Sequence, residues 1–126
     1  FPKLKRVGTF AFSNCPITSL NEESFPILSV VGKHAFADSK IQHVNLPFLT
    51  QIDECGFSKC PITSINLPSL IKIGRNGFHG CKSLKQFSAQ NLEEICVGCF
   101  SNCPLLGFIK CSLGSEKFVC SEQGCD

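Results

Sequence analysis

Apolar residues recur along the chain with a period of about 21 residues. Aligned on a leading Leu, the chain divides into five units, LKRVGTFAFSNCPITSLNEESFPI (4–27), LSVVGKHAFADSKIQHVNLPF (28–48), LTQIDECGFSKCPITSINLPS (49–69), LIKIGRNGFHGCKSLKQFSAQN (70–91) and LEEICVGCFSNCPLLGFIKCS (92–112). Each unit carries about five apolar positions, which a segment this short cannot bury alone. Stacking like positions on one another buries them, so the pattern predicts a solenoid.

Two of the apolar columns are especially regular. The first is a column of aromatic residues, Phe12, Phe36, Phe57, Phe78 and Phe100. The second is a column of apolar residues near the end of each unit, Leu20, Val44, Ile65, Phe87 and Ile109. We expect both columns to form continuous ladders in a shared core.

Each unit also predicts its own local structure, and the third unit is typical. Residues 62–68 (ITSINLP) alternate apolar and polar side chains, which indicates a strand ended by Pro. Residues 49–52 (LTQI) are too short for a helix and suggest a second extended piece. Residues 56–60 (GFSKC) are typical of one helical or 3-10 turn. Neighbouring units are expected to pair their strands in parallel.

One glycine column suggests a bend between these pieces. Gly8, Gly32 and Gly74 occupy it, and glycine suits a tight bend with positive φ. Asp53 and Cys96 stand in the same column in the other two units, so glycine is not a strict requirement.

The first unit departs from the pattern in two ways. It carries three extra residues around 21–24 (NEES), which predict a bulge or loop after its strand. Residues 1–3 match the end of a unit, so we expect that an earlier unit or cap preceded them. An incomplete first coil would expose an apolar edge and favour self-association through it.

Residues 49–69 (LTQIDECGFSKCPITSINLPS) and the four sister units resemble the BspA-type leucine-rich repeat, over residues 1 to about 112. The resemblance implies a mostly β leucine-rich-repeat solenoid, with parallel β-strands on the concave face and short helical or 3-10 turns on the convex side. Members occur in surface proteins of anaerobic bacteria and in parasitic protozoa, and several are described as adhesins for host matrix proteins. The resemblance therefore implies a binding scaffold without enzymatic activity.

Four of the ten cysteines share one column, three residues after the aromatic column. They are Cys15, Cys60, Cys81 and Cys103. A free Cys is a small residue that packs well in a core, and Ser39 replaces it in the second unit. This column is therefore interpreted as packing and not as a set of disulfides.

Five further cysteines crowd the C-terminal end of the chain. They are Cys96, Cys99, Cys111, Cys120 and Cys125. Three interpretations stay open: disulfides that fasten residues 113–126 as a cap or tail over the last coil, free thiols of a cytosolic protein, or Zn²⁺ ligands. Zinc sites use C-x-x-C pairs, but here the second pair has the weaker C-x₄-C spacing.

Composition and motifs exclude several functions. The net charge of +2 is too small to indicate nucleic acid or an anionic membrane, and no apolar run approaches the roughly 18 residues of a membrane span. The sequence contains no nucleophile motif, P-loop or dinucleotide fingerprint. His34 and His79 fall in polar turns. We expect no catalytic centre, cofactor or metal.

The outward positions of the predicted strand face are the first candidates for binding. They are Ser19, Asn21, His43, Asn45, Ser64, Asn66, Gln86, Ser88, Phe108 and Lys110. The sequence thus predicts a protein-interaction or adhesion module, cell-surface or secreted, whose protein ligand is not identified. Two alternatives stay open: a cytosolic scaffold or regulatory repeat protein, and a self-associating structural module joined through the incomplete first coil.

Overall fold

A computed structural model describes residues 1–111 of the chain, and the side chain of Phe108 is not described. Two short strands occur in each of five coils. The strands are β1 (Arg6–Val7), β2 (Ser19–Leu20), β3 (Val30–Val31), β4 (His43–Val44), β5 (Gln51–Ile52), β6 (Ser64–Asn66), β7 (Lys72–Ile73), β8 (Gln86–Ala89), β9 (Glu94–Ile95) and β10 (Phe108–Cys111). This is a mostly β, parallel-strand solenoid of five turns.

The odd-numbered strands form one sheet in the order β1-β3-β5-β7-β9. The even-numbered strands form two smaller sheets, β2-β4 and β6-β8-β10, which together are called the even-strand face below. All pairings are parallel, and the register joins Ile65 to Phe87 and Phe87 to Ile109, as the sequence alignment predicted. The predicted leucine-rich-repeat solenoid is therefore confirmed.

A turn segment connects the two strands of each coil, and it is not helical. The prediction of a helical or 3-10 turn is wrong within residues 1–111, where these segments consist of hydrogen-bonded turns. Alternate backbone N–H groups bond within the coil and to the next coil: Ala37 N–H donates to the His34 carbonyl (3.3 Å), whereas Phe36 N–H donates to the Gly56 carbonyl (3.0 Å). A helix would need consecutive bonds within one segment.

Positive φ angles make this alternation possible. They recur at two positions of every turn segment, two residues before and two after the aromatic column: Phe10, Asn14, His34, Asp38, Cys55, Lys59, Asn76, Gly80, Gly98 and Asn102. Asn, Asp and Gly tolerate this region better than other residues. The turn segments therefore form a third hydrogen-bonded side of the solenoid, beside the two sets of strands.

The core lies between these three sides and is built around stacked phenylalanines. Phe36, Phe57 and Phe78 are fully buried, and their rings stack at centroid distances of 5.5 and 5.6 Å. Phe87 packs against this ladder from the even-strand side. Its ring lies edge-on to Phe78 and Phe100, at centroid distances of 5.5 and 4.9 Å. The predicted aromatic ladder is confirmed.

The insertion in the first unit forms a loop, as predicted, and leads into a core position. Asn21 Oδ1 accepts hydrogen bonds from the backbone N–H groups of Glu23 and Ser24, both at 3.0 Å. This turn carries Phe25 into the core, where it is 1% exposed and lies edge-on to Phe36 at 6.3 Å. Phe25 stands three residues before Leu28, as Leu46 stands before Leu49, so the chain returns after the loop to a regular core position of the repeat.

The glycine column has a different purpose from the one predicted. Gly8, Gly32 and Gly74 do not have positive φ, so that expectation is wrong. A Cβ built on Gly32 would lie 2.4 Å from the Val7 carbonyl oxygen, and one on Gly74 would lie 2.9 Å from the Asp53 carbonyl carbon. Glycine is needed at these two positions because the backbones of successive coils approach closely there.

Candidate functional site

The even-strand face presents two columns of outward side chains. One contains Ser19, His43, Ser64 and Gln86, and the other contains Asn21, Asn45, Asn66, Ser88 and Lys110. The backbone of Phe108 pairs in register with Gln86. Between these two columns runs the buried column of Leu20, Ile65 and Phe87. The period-2 alternation of each strand therefore brings the predicted site residues to one side of the solenoid.

An open groove of about 540 Å³ lies on this face. Eight of the ten predicted residues line it: Ser19, Asn21, His43, Asn45, Ser64, Asn66, Gln86 and Ser88. Lys110 belongs to β10 and is not among the lining residues, and Phe108 lies in the same strand. Pro47 and Pro68, which the sequence analysis used only as strand ends, also line the groove.

The groove lining is nearly uncharged, in contrast to the other side of the solenoid. Within residues 1–111 its only titratable group is His43. The ion pairs of the described residues lie on or next to the odd-strand sheet: Arg6 with Asp53 (3.1 Å), Lys33 with Glu54 (3.2 Å) and Lys72 with Glu94 (3.2 Å). A partner in the groove would therefore meet neutral donors and acceptors.

The groove crosses a break in the even-strand hydrogen bonding. β4 pairs with β2, and β6 pairs with β8, but no ladder joins β4 to β6. The break does not come from the repeat spacing, since Val44 and Ile65 are separated by the usual 21 residues. It divides the face at its centre, between His43 and Ser64.

The amide side chains of this face differ in their availability. Asn21 Oδ1 is already occupied by the turn of the insertion, so its role is at least partly structural. Asn45 and Asn66 are exposed, and within residues 1–111 no hydrogen bond involves their side chains. A hydrogen-bonded Asn ladder is therefore not formed, and both amides are available to a ligand as donors and acceptors.

The cysteine column packs against the core without disulfides, as predicted: Cys60 and Cys81 are buried, and Cys15 and Cys103 are half-buried. Cys60 and Cys81 are 1% and 0% exposed. Each thiol reaches the carbonyl of the preceding coil's column phenylalanine, Cys60 Sγ at 3.1 Å from Phe36 O and Cys81 Sγ at 3.2 Å from Phe57 O. Ser39 Oγ lies 3.3 Å from Cys60 Sγ, which explains how Ser can replace Cys in this column. Small side chains that donate weakly to carbonyls suit this position.

Burial makes these thiols poor nucleophiles. It raises the pKa of Cys60 to about 11 and that of Cys99 to about 12, from an ordinary value of 9.0. We expect iodoacetamide at about pH 8 to leave Cys60, Cys81 and Cys99 unmodified until the chain is unfolded in urea. Because the unfolded chain loses these protons at lower pH than the folded one, the free energy of unfolding should fall as the pH rises above about 9.

Peptide mapping by mass spectrometry after native and denatured alkylation would check this expectation. The half-buried Cys15 and Cys55 serve as internal controls, because they should be modified before the buried group. If Cys60 and Cys99 in the native chain reacted as fast as Cys15, the burial of these two thiols would be contradicted.

The C-terminal cysteines are only partly within the described residues. Cys99 is 1% exposed and donates to the Gly74 carbonyl at 3.2 Å, whereas Cys96 and Cys111 are half-buried. Cys120 and Cys125, with the rest of 113–126, lie outside the described residues. The disulfide cap therefore stays a prediction, and the same mass measurement without reductant tests it: each disulfide lowers the number of thiols that react after unfolding by two.

In residues 1–111, no group of three or more His, Cys, Asp or Glu side chains could hold a metal ion. The same part of the chain contains no helix with the length and apolar character needed to cross a membrane.

The fold and its repeats define a class of protein, the leucine-rich-repeat solenoids. The family model described as the BspA-type leucine-rich repeat region (6 copies) matches residues 5–118, and the chain belongs to this family. Repeats of this family are typically protein-interaction or adhesion modules and are typically not enzymes.

Two solved structures share the fold. A leucine-rich cell surface protein of Faecalibacterium prausnitzii matches with a TM-score of 0.77 and 24% identity, over 91% of this chain and 31% of that one. The leucine-rich-repeat protein of T. pallidum matches with a TM-score of 0.70 and 24% identity, over 85% of this chain and 63% of that one. This chain thus spans less than two thirds of either. No curated protein matches the sequence.

Proposed function

We propose that this chain is a protein-interaction or adhesion module without enzymatic activity, and that it binds a protein partner through the groove of the even-strand face. The groove itself carries the proposal. It places eight outward polar residues around an opening of about 540 Å³, on a side without ion pairs among residues 1–111. Polar side chains held on stacked strands form an extended binding surface of the kind that solenoids use.

The chemistry of the groove favours recognition through hydrogen bonds. Asn45 and Asn66 each offer a donor and an acceptor, which match the groups of a peptide backbone. The apolar side chains of Val44 and Ile65 also line the groove between these polar columns. Such a surface gains affinity from contact area and hydrogen bonds, so we expect binding to change little with salt concentration.

The cell surface or the extracellular space is the proposed location. Membership of a surface-associated repeat family and the likeness to a protein described as a leucine-rich cell surface protein support this choice. The alternative is a cytosolic scaffold, and the redox state of the C-terminal cysteines discriminates between the two. Disulfides persist outside the reducing cytosol. If every cysteine reacts with the alkylating agent without prior reduction of the chain, the chain has no disulfides and the cytosolic alternative is favoured.

A charged substitution in the groove tests the proposal. We expect Asn66→Arg to weaken adhesion to immobilised extracellular matrix proteins at least tenfold, because it places an unpaired charge among neutral groups. Gln90→Arg is the matched control, since Gln90 is exposed outside the groove. Surface plasmon resonance with a panel of matrix proteins gives both affinities. Equal binding by the two variants, with both folded, would locate the contact elsewhere.

A second candidate is self-association through the first coil, and one observation favours it. Phe1 is 62% exposed and Phe10 is 56% exposed, so apolar surface remains on this coil. However, Phe1 stacks on Phe25 at 5.2 Å and contacts Phe12 edge-on at 5.8 Å, so the end of the aromatic ladder is partly covered. Sedimentation as a monomer at high concentration would exclude this candidate.

A further inference from the structure

A second cavity, of about 590 Å³, lies beside the turn segments of the third to fifth coils. It is separate from the groove of the even-strand face, with which it shares no lining residue. Lys59, His79 and Lys82 are among the residues that line it, and within the described part of the chain no carboxylate does. The cavity therefore concentrates positive charge without an internal counter-ion.

Three other basic residues of the described chain are paired with carboxylates, whereas Lys59 and Lys82 are not. Arg6, Lys33 and Lys72 each contact a carboxylate at 3.1–3.2 Å. Within residues 1–111 neither Lys59 nor Lys82 makes such a contact, although both are exposed. Two unpaired ammonium groups on one cavity attract an anion more strongly than either would alone.

The backbone holds Lys59 in place at the cavity. Lys59 itself has positive φ (60°), and Gly80, the residue at the same position of the next coil, has φ of 72°. A Cβ on Gly80 would lie 3.0 Å from Lys59 Cγ, so the stem of the lysine passes close over the glycine. Gly80 thus leaves room for the lysine stem at the cavity wall.

His79 is held at the cavity by a buried serine. Its Nδ1 is hydrogen-bonded to Ser101 Oγ, and the Ser101 hydroxyl lies 3.0 Å from the Gly98 carbonyl, to which it donates. Because that hydroxyl has a single hydrogen, Nδ1 must donate its own hydrogen to Oγ. This arrangement fixes the ring and leaves Nε2 without a partner among residues 1–111. The imidazole is therefore a positioned polar group, not a freely rotating surface side chain.

We propose that this cavity binds a tetrahedral oxyanion, a sulfate or phosphate group, between the ammonium groups of Lys59 and Lys82 and beside His79. Both groups present several acceptor oxygens to surrounding donors, whereas chloride presents a single centre. The cavity of about 590 Å³ is larger than one such ion, so it also has room for an oxyanion carried by a larger molecule. This site is independent of the groove proposed for protein binding.

Titration of the ¹⁵N-labelled full chain tests the site. Sodium sulfate and sodium phosphate are added in separate experiments, with sodium chloride at matched ionic strength as the reference. We expect saturable shifts of the backbone amide resonances of Lys59, Gly80 and Asn102, and none at Asn45 and Asn66 in the groove. Saturation by sulfate alone or by phosphate alone identifies the group. Shifts no larger than those with chloride would overturn the proposal.

Charge-removing variants provide the second readout. We expect Lys59→Gln and Lys82→Gln each to weaken oxyanion binding roughly two- to fivefold, as for exposed charge pairs, and the double variant to abolish saturation. Lys3→Gln is the matched control, because it removes one exposed positive charge far from the cavity in sequence and should bind as the unmodified chain does. Oxyanion binding by the double variant with unchanged affinity would also overturn the proposal.

Discussion

Replacing Phe57 by Ala should lower the free energy of unfolding by about 3–5 kcal/mol, the usual cost of truncating a buried phenylalanine. Phe57 is fully buried and lies in the middle of the ladder, stacked on Phe36 at 5.5 Å and on Phe78 at 5.6 Å. Its removal leaves a cavity between two rings and breaks two aromatic contacts at once, each worth about 0.5–1.5 kcal/mol beyond burial. Urea denaturation followed by circular dichroism measures the difference.

Phe48→Ala is the matched control for this substitution. Phe48 is 59% exposed, so the same chemical change should alter the free energy of unfolding by no more than about 0.5 kcal/mol. The contrast separates burial in the ladder from any general effect of losing a phenyl ring. A loss below 1 kcal/mol for Phe57→Ala would mean that the stacked ring is not part of a tightly packed core.

The repeat period made the fold predictable from the sequence. Because each apolar column repeats every 21 to 24 residues, the alignment of Val31 with Ile52 is also the register of strand pairing. The same period placed Asn45 and Asn66 on one face, where the structure also has them. Such features depend only on which residues are alike from unit to unit, and one sequence contains that information.

The backbone conformation of the turn segments could not be predicted from the repeat alignment. A short motif such as GFSKC is compatible with a helical turn, and it does not state which residues have positive φ. A signal was present, since Asn14, Asp38, Asn76 and Asn102 occupy these positions, and Asn and Asp are enriched at positive φ. It was obscured because Phe10, His34, Cys55 and Lys59 occupy equivalent positions.

Features that occur in only one place along the solenoid could not be predicted from the repeat alignment either. The insertion around 21–24 has no counterpart in the other units, so the alignment could not show that Asn21 Oδ1 accepts hydrogen bonds from the backbone N–H groups of Glu23 and Ser24. The break between β4 and β6 falls between two units of regular spacing. The extent of the groove depends on how the five coils are placed relative to one another, which is why the sequence alone grouped Lys110 with the residues that line the groove, although Lys110 does not line it.

The glycine column leads to the second large effect, that of Gly32→Ala. The new Cβ would lie 2.4 Å from the Val7 carbonyl oxygen and 3.2 Å from the Gly8 carbonyl carbon, so backbone atoms and not a flexible side chain would have to move. The same carbonyl accepts the Gly32 N–H at 2.8 Å. Overpacking costs about 1–3 kcal/mol and a lost hydrogen bond about 0.5–1.5 kcal/mol, so we expect a total of about 2–4 kcal/mol.

Gly8→Ala is the matched control for Gly32→Ala, because Gly8 stands in the same column and a Cβ there meets nothing within 4 Å. We expect it to be neutral or to stabilise the chain by about 0.4–1 kcal/mol, through the lower entropy of the unfolded state. The clash at Gly32 concerns the contact of the first coil with the second, and the end coil of a solenoid can open by itself. Amide hydrogen exchange at Gly32, which rises when that coil detaches, should therefore accompany urea denaturation. Equal stability and equal exchange for the two alanine variants would show that the coils are not in close backbone contact at Gly32.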